Sequence, residues 1–437
     1  MSEAVSQTPS KPKTASSTGG FKHFLKATEI DTRMLGMIGA LFVIWIGFHI
    51  LSGGTFLTAR NLWNLSVQTA SVGVMATGMV LVIVTRNIDL SVGSILGVTG
   101  MIMAIAQTTW LTPMLGFDSQ LVWILTLAVG LAAGLTIGAL QGFVIAYMGV
   151  PAFIVTLGGL LIWRGAAWWV ASGRTIPITD NNFKIIGGGS DGSIGSTWSW
   201  LIALVAIAFL ALAAVNARRQ RHRFHFPVKP IWAEVLTFGL GALAVVVATL
   251  VVNSYYLPGP LARRYAEASG IEVPEAGLAI SFGYAVPVLL FIGVGIVMTF
   301  IARRTRFGRY VFAIGGNPEA AELAGINTKR VTMMVFALMG MLAAVGAAIS
   351  TARLTSATNA QGTLDELYTI AAAVIGGTSL AGGAGTIAGA MLGALVMQSL
   401  QSGMVLLGMD TPLQNIVVGA VLVVAVWLDT IYRRRAA

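Results

Sequence analysis

The side chains with the means to do chemistry are few for a chain of 437 residues: 17 Asp and Glu, four His and no Cys. Without cysteine there is no disulfide, no thiolate metal site and no thiol nucleophile. No Ser/His/Asp grouping, metal-spaced His cluster or pair of intramembrane carboxylates can be assembled from the rest, so neither a catalytic residue nor a metal site is expected. No G-K-[ST] occurs, so there is no Walker-type phosphate loop and the chain cannot hydrolyse ATP by itself. Two ionisable residues stand out. Asp89, in Asn87-Ile88-Asp89-Leu90-Ser91-Val92-Gly93-Ser94, precedes an apolar run. It suits a helix cap, or a charge beside a pathway that would need a partner if buried. Arg164 follows Trp163 and precedes Trp168 and Trp169 in another apolar run. Such a cation must pair, face water or snorkel, and an anchor in the aromatic belt is a plainer reading than a ligand stacked on Trp. Gln68, Gln141, Thr156, Ser379, Gln398, Gln401 and Gln414 are uncharged polar positions in or beside apolar runs. They suit a path for neutral polar solutes and, equally, hydrogen bonds between helices.

The elements that must position these residues are membrane helices. At 56% hydrophobic and 10% charged, with mean hydropathy +0.81, the chain cannot hide its apolar surface in one water-soluble core. Runs long enough to span lie near 34–52, 67–85, 91–108, 121–147, 152–171, 199–216, 231–252, 284–302, 331–352, 367–384, 386–407 and 413–431. The expected fold is an all-α polytopic membrane protein with about 12 transmembrane helices and both termini on one side. Of 27 Lys and Arg, 20 fall in the tail to Arg33, at Arg86, in 217–230, in 303–330 and at the C-terminus. The positive-inside rule makes that side cytoplasmic, so the net charge of +10 reflects membrane orientation and not a nucleic-acid partner. Residues 1–33 read as a disordered cytoplasmic tail with an interfacial segment at Phe21–Lys26, and no cleavable signal peptide is recognisable. The spans are nearly bare of acids, which argues against an ion-coupled carrier.

One polar interruption, Arg303 to Val331, also carries helix punctuation. Asn317 can cap a helix, Pro318 fits the first helical position and Gly325 the left-handed stop, leaving a short helix over 318–324. Glu319 and Glu322 suit its positive end, and Ala320, Ala321 and Ala324 give it a small surface that could enter a groove. Two Gly-rich stretches, 90–100 and 380–393, each open a helix after another ends, which suggests an internal repeat. An inverted one would require a re-entrant segment.

Gly315-Gly316-Asn317-Pro318-Glu319-Ala320-Ala321 with Gly325-Ile326 resembles the coupling loop of permease subunits from ATP-binding-cassette sugar importers. Asn87 to Ser94 and Gly376-Gly377-Thr378-Ser379-Leu380-Ala381-Gly382-Gly383 are similar to motifs of the ribose, xylose and galactose branch, which commonly has glycine where this chain has Asn87. The resemblance covers most of 34–171 and 284–431. It implies a transmembrane domain over 34–437, made of a ten-helix core, a coupling loop over 303–330 and a helical hairpin inserted at about 197–283. Xylose permeases resemble this longer arrangement. It further implies a bacterial inner-membrane location, a second copy of the chain, a periplasmic sugar-binding protein and a cytoplasmic ATPase that uses the ATP, with no cofactor bound directly. Asn317, Pro318, Glu319, Ala320, Ala321 and Gly325 would couple to the ATPase; Asn87, Asp89, Ser91, Gly93, Arg164, Thr378 and Ser379 are candidates for pathway or gating roles. The alternative is a self-sufficient sugar carrier or channel.

Overall fold

The computed structural model describes residues 27–29, 31–117, 119–269 and 278–436, so most of the expected tail lies outside the described residues. In order the elements are α1 (Thr32–Leu51), α2 (Ala59–Val84), α3 (Val92–Ile105, continued through a π turn to Leu115), α4 (Leu121–Ala146) and α5 (Ala152–Ala171). Then come β1 (Ile176–Pro177), α6 (Asn181–Ile185), α7 (Gly195–Arg223), α8 (Ile231–Asn253), α9 (Gly259–Ser269) and α10 (Val286–Arg304). The chain ends with α11 (Arg306–Gly316), α12 (Pro318–Leu323), α13 (Thr328–Leu354), β2 (Ser356–Ala357), α14 (Asp365–Ile375), α15 (Ile387–Leu406) and α16 (Thr411–Ala436).

Among the described residues, 10 helices are long and apolar enough to cross a membrane, and α16 adds a shorter apolar stretch over Thr411–Trp427. The protein is therefore all-α and polytopic. The span expected over 367–384 is not one helix. An 11-residue α14 ends at Ile375, and Gly377, Gly382 and Gly383 then take positive φ to turn the chain back into α15. Eleven residues rise only ~16 Å, about half of a bilayer's hydrocarbon core.

The axis of the bundle is α2, 94% buried over its apolar stretch, whereas α1 is 0% buried over its own. Against α2 runs α13, antiparallel: Gly78 faces Leu342 and Met339, and Gly346 faces Met75 and Ser71. On its other side α13 packs on α4, where a Cβ at Gly134 or Gly138 would strike the carbonyl of Gly340 or Phe336. Small residues one turn apart let the two backbones close in, which compensates for the lack of a hydrophobic drive between helices in lipid.

Two halves emerge, α2 to α5 and α13 to α16. Each starts with a long helix, breaks into irregular backbone (85–91 and 358–364), and restarts in a helix that packs on the one after it. Because α2 and α13 are antiparallel, the halves are related by inversion. The irregular segments meet where the backbones of Gly93 and Gly362 touch, so α3 and α14 begin side by side in the bundle and run to opposite ends. The re-entrant segment that an inverted repeat needs is 358–375.

Basic segments gather at one end, which we call the Arg86 end: Arg33 lies by Gly377, and Arg86 by Gly315 and Gly382. At the other end β1 pairs antiparallel with β2, Ile176 with Ala357, tying α5 to α13. The α7–α8 hairpin is clasped at both ends. Its far loop folds onto α2, where Trp63 Nε1 donates to Gly283 O (2.9 Å) and Tyr255 stacks on Phe282 with centroids 4.4 Å apart. Within the hairpin, Arg218 pairs with Glu234 at 2.6 Å.

At the hairpin's basic turn Arg221 forks onto Glu29 (2.9 and 2.6 Å), and Lys229 Nζ lies 3.3 Å from the same carboxylate. Arg221 above all holds the Glu29 carboxyl down at about 2, against an ordinary 4.5. A depressed carboxyl stabilises the fold fully above the unfolded value and loses its contribution as pH falls through about 2. Glu29 is 47% exposed, so this clasp is worth less than about 1 kcal/mol. The carboxyl resonance of isotope-labelled Glu29 should titrate near 2 and move back towards 4.5 in Arg221→Ala. An unshifted midpoint in the parent chain would mean that the clasp does not persist in solution.

Candidate functional site

The sequence-predicted residues fall into three places. The first is the α11–α12 segment. Asn317 Oδ1 accepts from Ala320 N (3.0 Å) as N-cap, and Pro318 occupies the first turn. Gly325 stands at φ +81° while Ile326 N returns to Ala321 O (3.1 Å), a left-handed stop. The helix is Pro318–Leu323, one residue shorter than expected. Ala321 is buried, Glu319, Ala320 and Glu322 are exposed, and Leu323 is 90% exposed. That bare leucine was overlooked in the sequence; helical spacing alone could not show that it faces outward.

The second place is a knot beneath α11. Gly315 packs against Val84 O, which accepts from Gly383 N (3.0 Å). Arg86 reaches across, Nε to Gly315 O (2.9 Å) and Nη2 to Gly316 O (2.7 Å). One arginine and two glycines thus join the end of α2, the end of α11 and the turn between α14 and α15. Asn87 lies beside the knot, donating to Thr85 O and Oγ1 at 3.1 Å. The left-handed residue is Arg86, φ +64°, so an Asn at the next position meets no steric demand for glycine. Thr378 and Ser379 are buried in the turn itself, their hydroxyls making no protein hydrogen bond among the described residues.

The third place is the crossing of the two halves. Asp89, 1% exposed, accepts from Ser91 N (2.9 Å) and Ser91 Oγ (2.6 Å), holding the turn before α3 and not capping the helix. Ser91 Oγ is also 3.0 Å from Gln141 Oε1. A hydroxyl has one proton; with the Gln141 amide turned, Nε2 donates to Ser91 Oγ while Ser91 donates to Asp89. Gly93 touches Gly362 and the Glu366 carboxylate. Glu366 is buried, and its Oε2 makes no hydrogen bond among the described residues. With Asp365 it forms the first turn of α14, where the helix dipole favours negative charge.

Arg164 belongs to this crossing. Its Nη1 donates to Asn359 O (3.1 Å) and Gln361 O (2.7 Å) in the irregular segment before α14. The plainer sequence reading, a headgroup anchor, is corrected: thirteenth of α5's 20 residues, Arg164 points inward at mid-length. The carbonyls of an unwound segment inside the bundle need donors, and the guanidinium supplies them. The sequence reading of nearly acid-free spans is corrected too. Asp89, Asp365 and Glu366 lie within the fold because the backbone carrying them is re-entrant, which hydropathy windows do not detect.

Of the uncharged polar residues, Gln68, Gln398 and Gln401 come together, with Gln398 Nε2 donating to Gln68 Oε1 (3.1 Å) and Gln401 Oε1 (3.0 Å). Thr156 bonds backbone carbonyls, including Ile88 O (3.3 Å), and Gln414 donates to Met409 O (2.7 Å). Among the described residues no group of His, Cys, Asp and Glu could hold a metal ion.

A transporter-like frame, inverted halves and a short capped helix outside the bundle still leave the family open. The chain is 36% identical over 428 residues to the xylose transport system permease protein of Escherichia coli K12, covering 98% of this chain and 99% of the relative. It belongs to the permease subunits of ATP-binding-cassette sugar importers. The xylose permease of Haemophilus influenzae is 35% identical over 94% of this chain, and the ribose import permease of Escherichia coli K12 31% over 95%, each aligned over nearly its whole length. A family described as branched-chain amino acid transport system, permease component, matches residues 228–426. No solved structure matches. As a permease subunit it is a non-catalytic part of the transporter.

Proposed function

We propose that this permease carries D-xylose across the bacterial inner membrane, driven by a separate cytoplasmic ATPase and fed by a periplasmic sugar-binding protein. The observation that carries the reading is end-to-end identity with xylose permeases, 36% against 31% for the ribose permease. The Arg86 end, where the basic segments gather, is cytoplasmic, and so are both termini. Two copies stand side by side in the bilayer. The hairpin over 197–283 is an insertion in a ten-helix core, and ATP is consumed by the partner ATPase alone. In proteoliposomes holding all the components, labelled xylose uptake should be competed more strongly by unlabelled xylose than by ribose. Stronger competition by ribose would move the assignment to the ribose branch.

The α12 helix, from Asn317 and Pro318 to Gly325, docks in a groove of the ATPase. Leu323 supplies the apolar contact, and Glu319 the negative charge at the positive helix end. When nucleotide closes the ATPase pair, α12 is displaced, α11 moves with it, and the Arg86 knot passes the displacement to α2 and to the turn carrying Thr378 and Ser379. That turn is the base of α14, whose other end abuts Gly93 and Arg164. Asn87, Asp89 and Ser91 fix the opposing start of α3, so the crossing is where two half-helices slide or part. Leu323→Asp should sharply reduce copurification of the ATPase, and Glu319→Lys should weaken it less. Undiminished copurification of Leu323→Asp would place docking elsewhere.

A further inference from the structure

A cavity of about 360 Å³ opens between α2, α13, α14 and α15 on the side away from the Arg86 end, bounded by Asn61, Asn64, Gln68, Arg353, Asp365 and Gln398 among others. A second, of about 330 Å³, shares Asn64, Gln68 and Arg353 with it and continues to the loop at 187–191. Each is within the range of small-molecule sites, about 300–1,000 Å³. From Asn61 to Ser71 the first cavity follows α2 for ~15 Å, and it reaches Asp365 at the start of α14, the level of the crossing. The space therefore leads from the far end of the bundle to the two half-helix starts.

Its lining selects a ligand class. Arg353 and Asp365 face the same space, yet among the described residues neither forms an ion pair within 4.0 Å, and the charges are set against a wall of amides. Lys184 and Asp191 join Arg353 in the second cavity, so the two cavities together set two cationic side chains against two acidic ones. Neither an ammonium nor a phosphate ligand would be favoured. Amides that both donate and accept, with one guanidinium and one carboxylate, match vicinal hydroxyls, which also donate and accept. The Asn64 side chain makes no hydrogen bond among the described residues and lines both cavities; Gln68, Gln398 and Gln401 are pre-ordered by their own bonds. We propose that this cavity is a binding site for a neutral monosaccharide inside one protomer, upstream of the crossing. The proposal deepens the importer reading and rests on it for the sugar.

Because the chain has no cysteine, a single introduced thiol is a unique reporter. Asn64→Cys is the first variant and Gln398→Cys the second, should the first not assemble, with Thr55→Cys on the exposed loop before α2 as control. In the transporter reconstituted with its ATPase, a membrane-impermeant methanethiosulfonate added on the periplasmic face should modify the cavity thiol. D-Xylose should slow that modification severalfold, sucrose at equal osmolarity should not, and the Thr55→Cys rate should be unaffected by either. Modification at the same rate with and without xylose, or none at all, overturns the cavity site. ATP-dependent xylose uptake by the parent is measured in matched vesicles that hold the ATPase and are supplied with the binding protein. Uptake with an unprotected thiol fails the cavity alone, absence of uptake fails the importer reading, and protection without uptake supports the cavity independently.

Discussion

Gly315→Val should abolish ATP-driven uptake while the protein still inserts in the membrane. Any Cβ at position 315 strikes the Val84 carbonyl and comes within 2.6 Å of Gly383 N, backbone atoms that cannot swing aside. The end of α11 must lift, and the two bonds from Arg86 to Gly315 and Gly316 then lengthen together. Overpacking of this kind costs about 1–3 kcal/mol. That is small beside the packing of the long helices, so the bundle survives, but it falls entirely on the joint between α11 and α2. The ATPase should still copurify, because α12 keeps its own cap and stop, and its hydrolysis should no longer be coupled to transport. Gly316→Ala is the matched control: nothing lies within 4 Å of a Cβ there, and uptake should stay near that of the parent. Normal uptake by Gly315→Val would show that the knot transmits nothing.

Arg164→Leu should lower both stability and uptake. It removes two charge-assisted hydrogen bonds to the carbonyls of Asn359 and Gln361, which stand in irregular backbone with no helix to satisfy them. It also removes a positive charge that acts on the buried Glu366. Bonds to a charged group are worth about 1.5–3 kcal/mol, and carbonyls left unpaired inside a bilayer protein cost more. The apparent unfolding temperature in detergent should fall clearly. Arg164→Lys, which keeps the charge and loses the planar guanidinium, should lie between. A headgroup anchor would predict the reverse order of importance: loss of charge would barely matter, and a Leu would suit the lipid. Parental stability of Arg164→Leu would therefore return the residue to the aromatic belt.

What the sequence made legible was local. The short helix was readable because Asn317, Pro318 and Gly325 act on backbone within a few residues of themselves, and the spans because apolar length is additive along the chain. Residues 85–91 and 358–375 were not, because a polar break between apolar runs reads as a solvent loop whichever way it folds. Only the approach of Gly93 to Gly362 across the bundle carries Asp365 and Glu366 inside. Arg164 was misread for the same reason, its partners lying 195 and 197 positions away. Leu323 needed the opposite knowledge, which face of α12 the bundle leaves bare.

The measurement to make is labelled xylose uptake into liposomes holding this chain alone, or with its ATPase and binding protein, with and without ATP. Uptake only when all three proteins and ATP are present is the expected result, since the permease has no phosphate loop and α12 is proposed to dock the ATPase. Equally fast uptake by the purified chain alone would contradict it. The buried carboxylates at the crossing would then be read as coupling residues of a self-sufficient carrier, and α12 would lose its role.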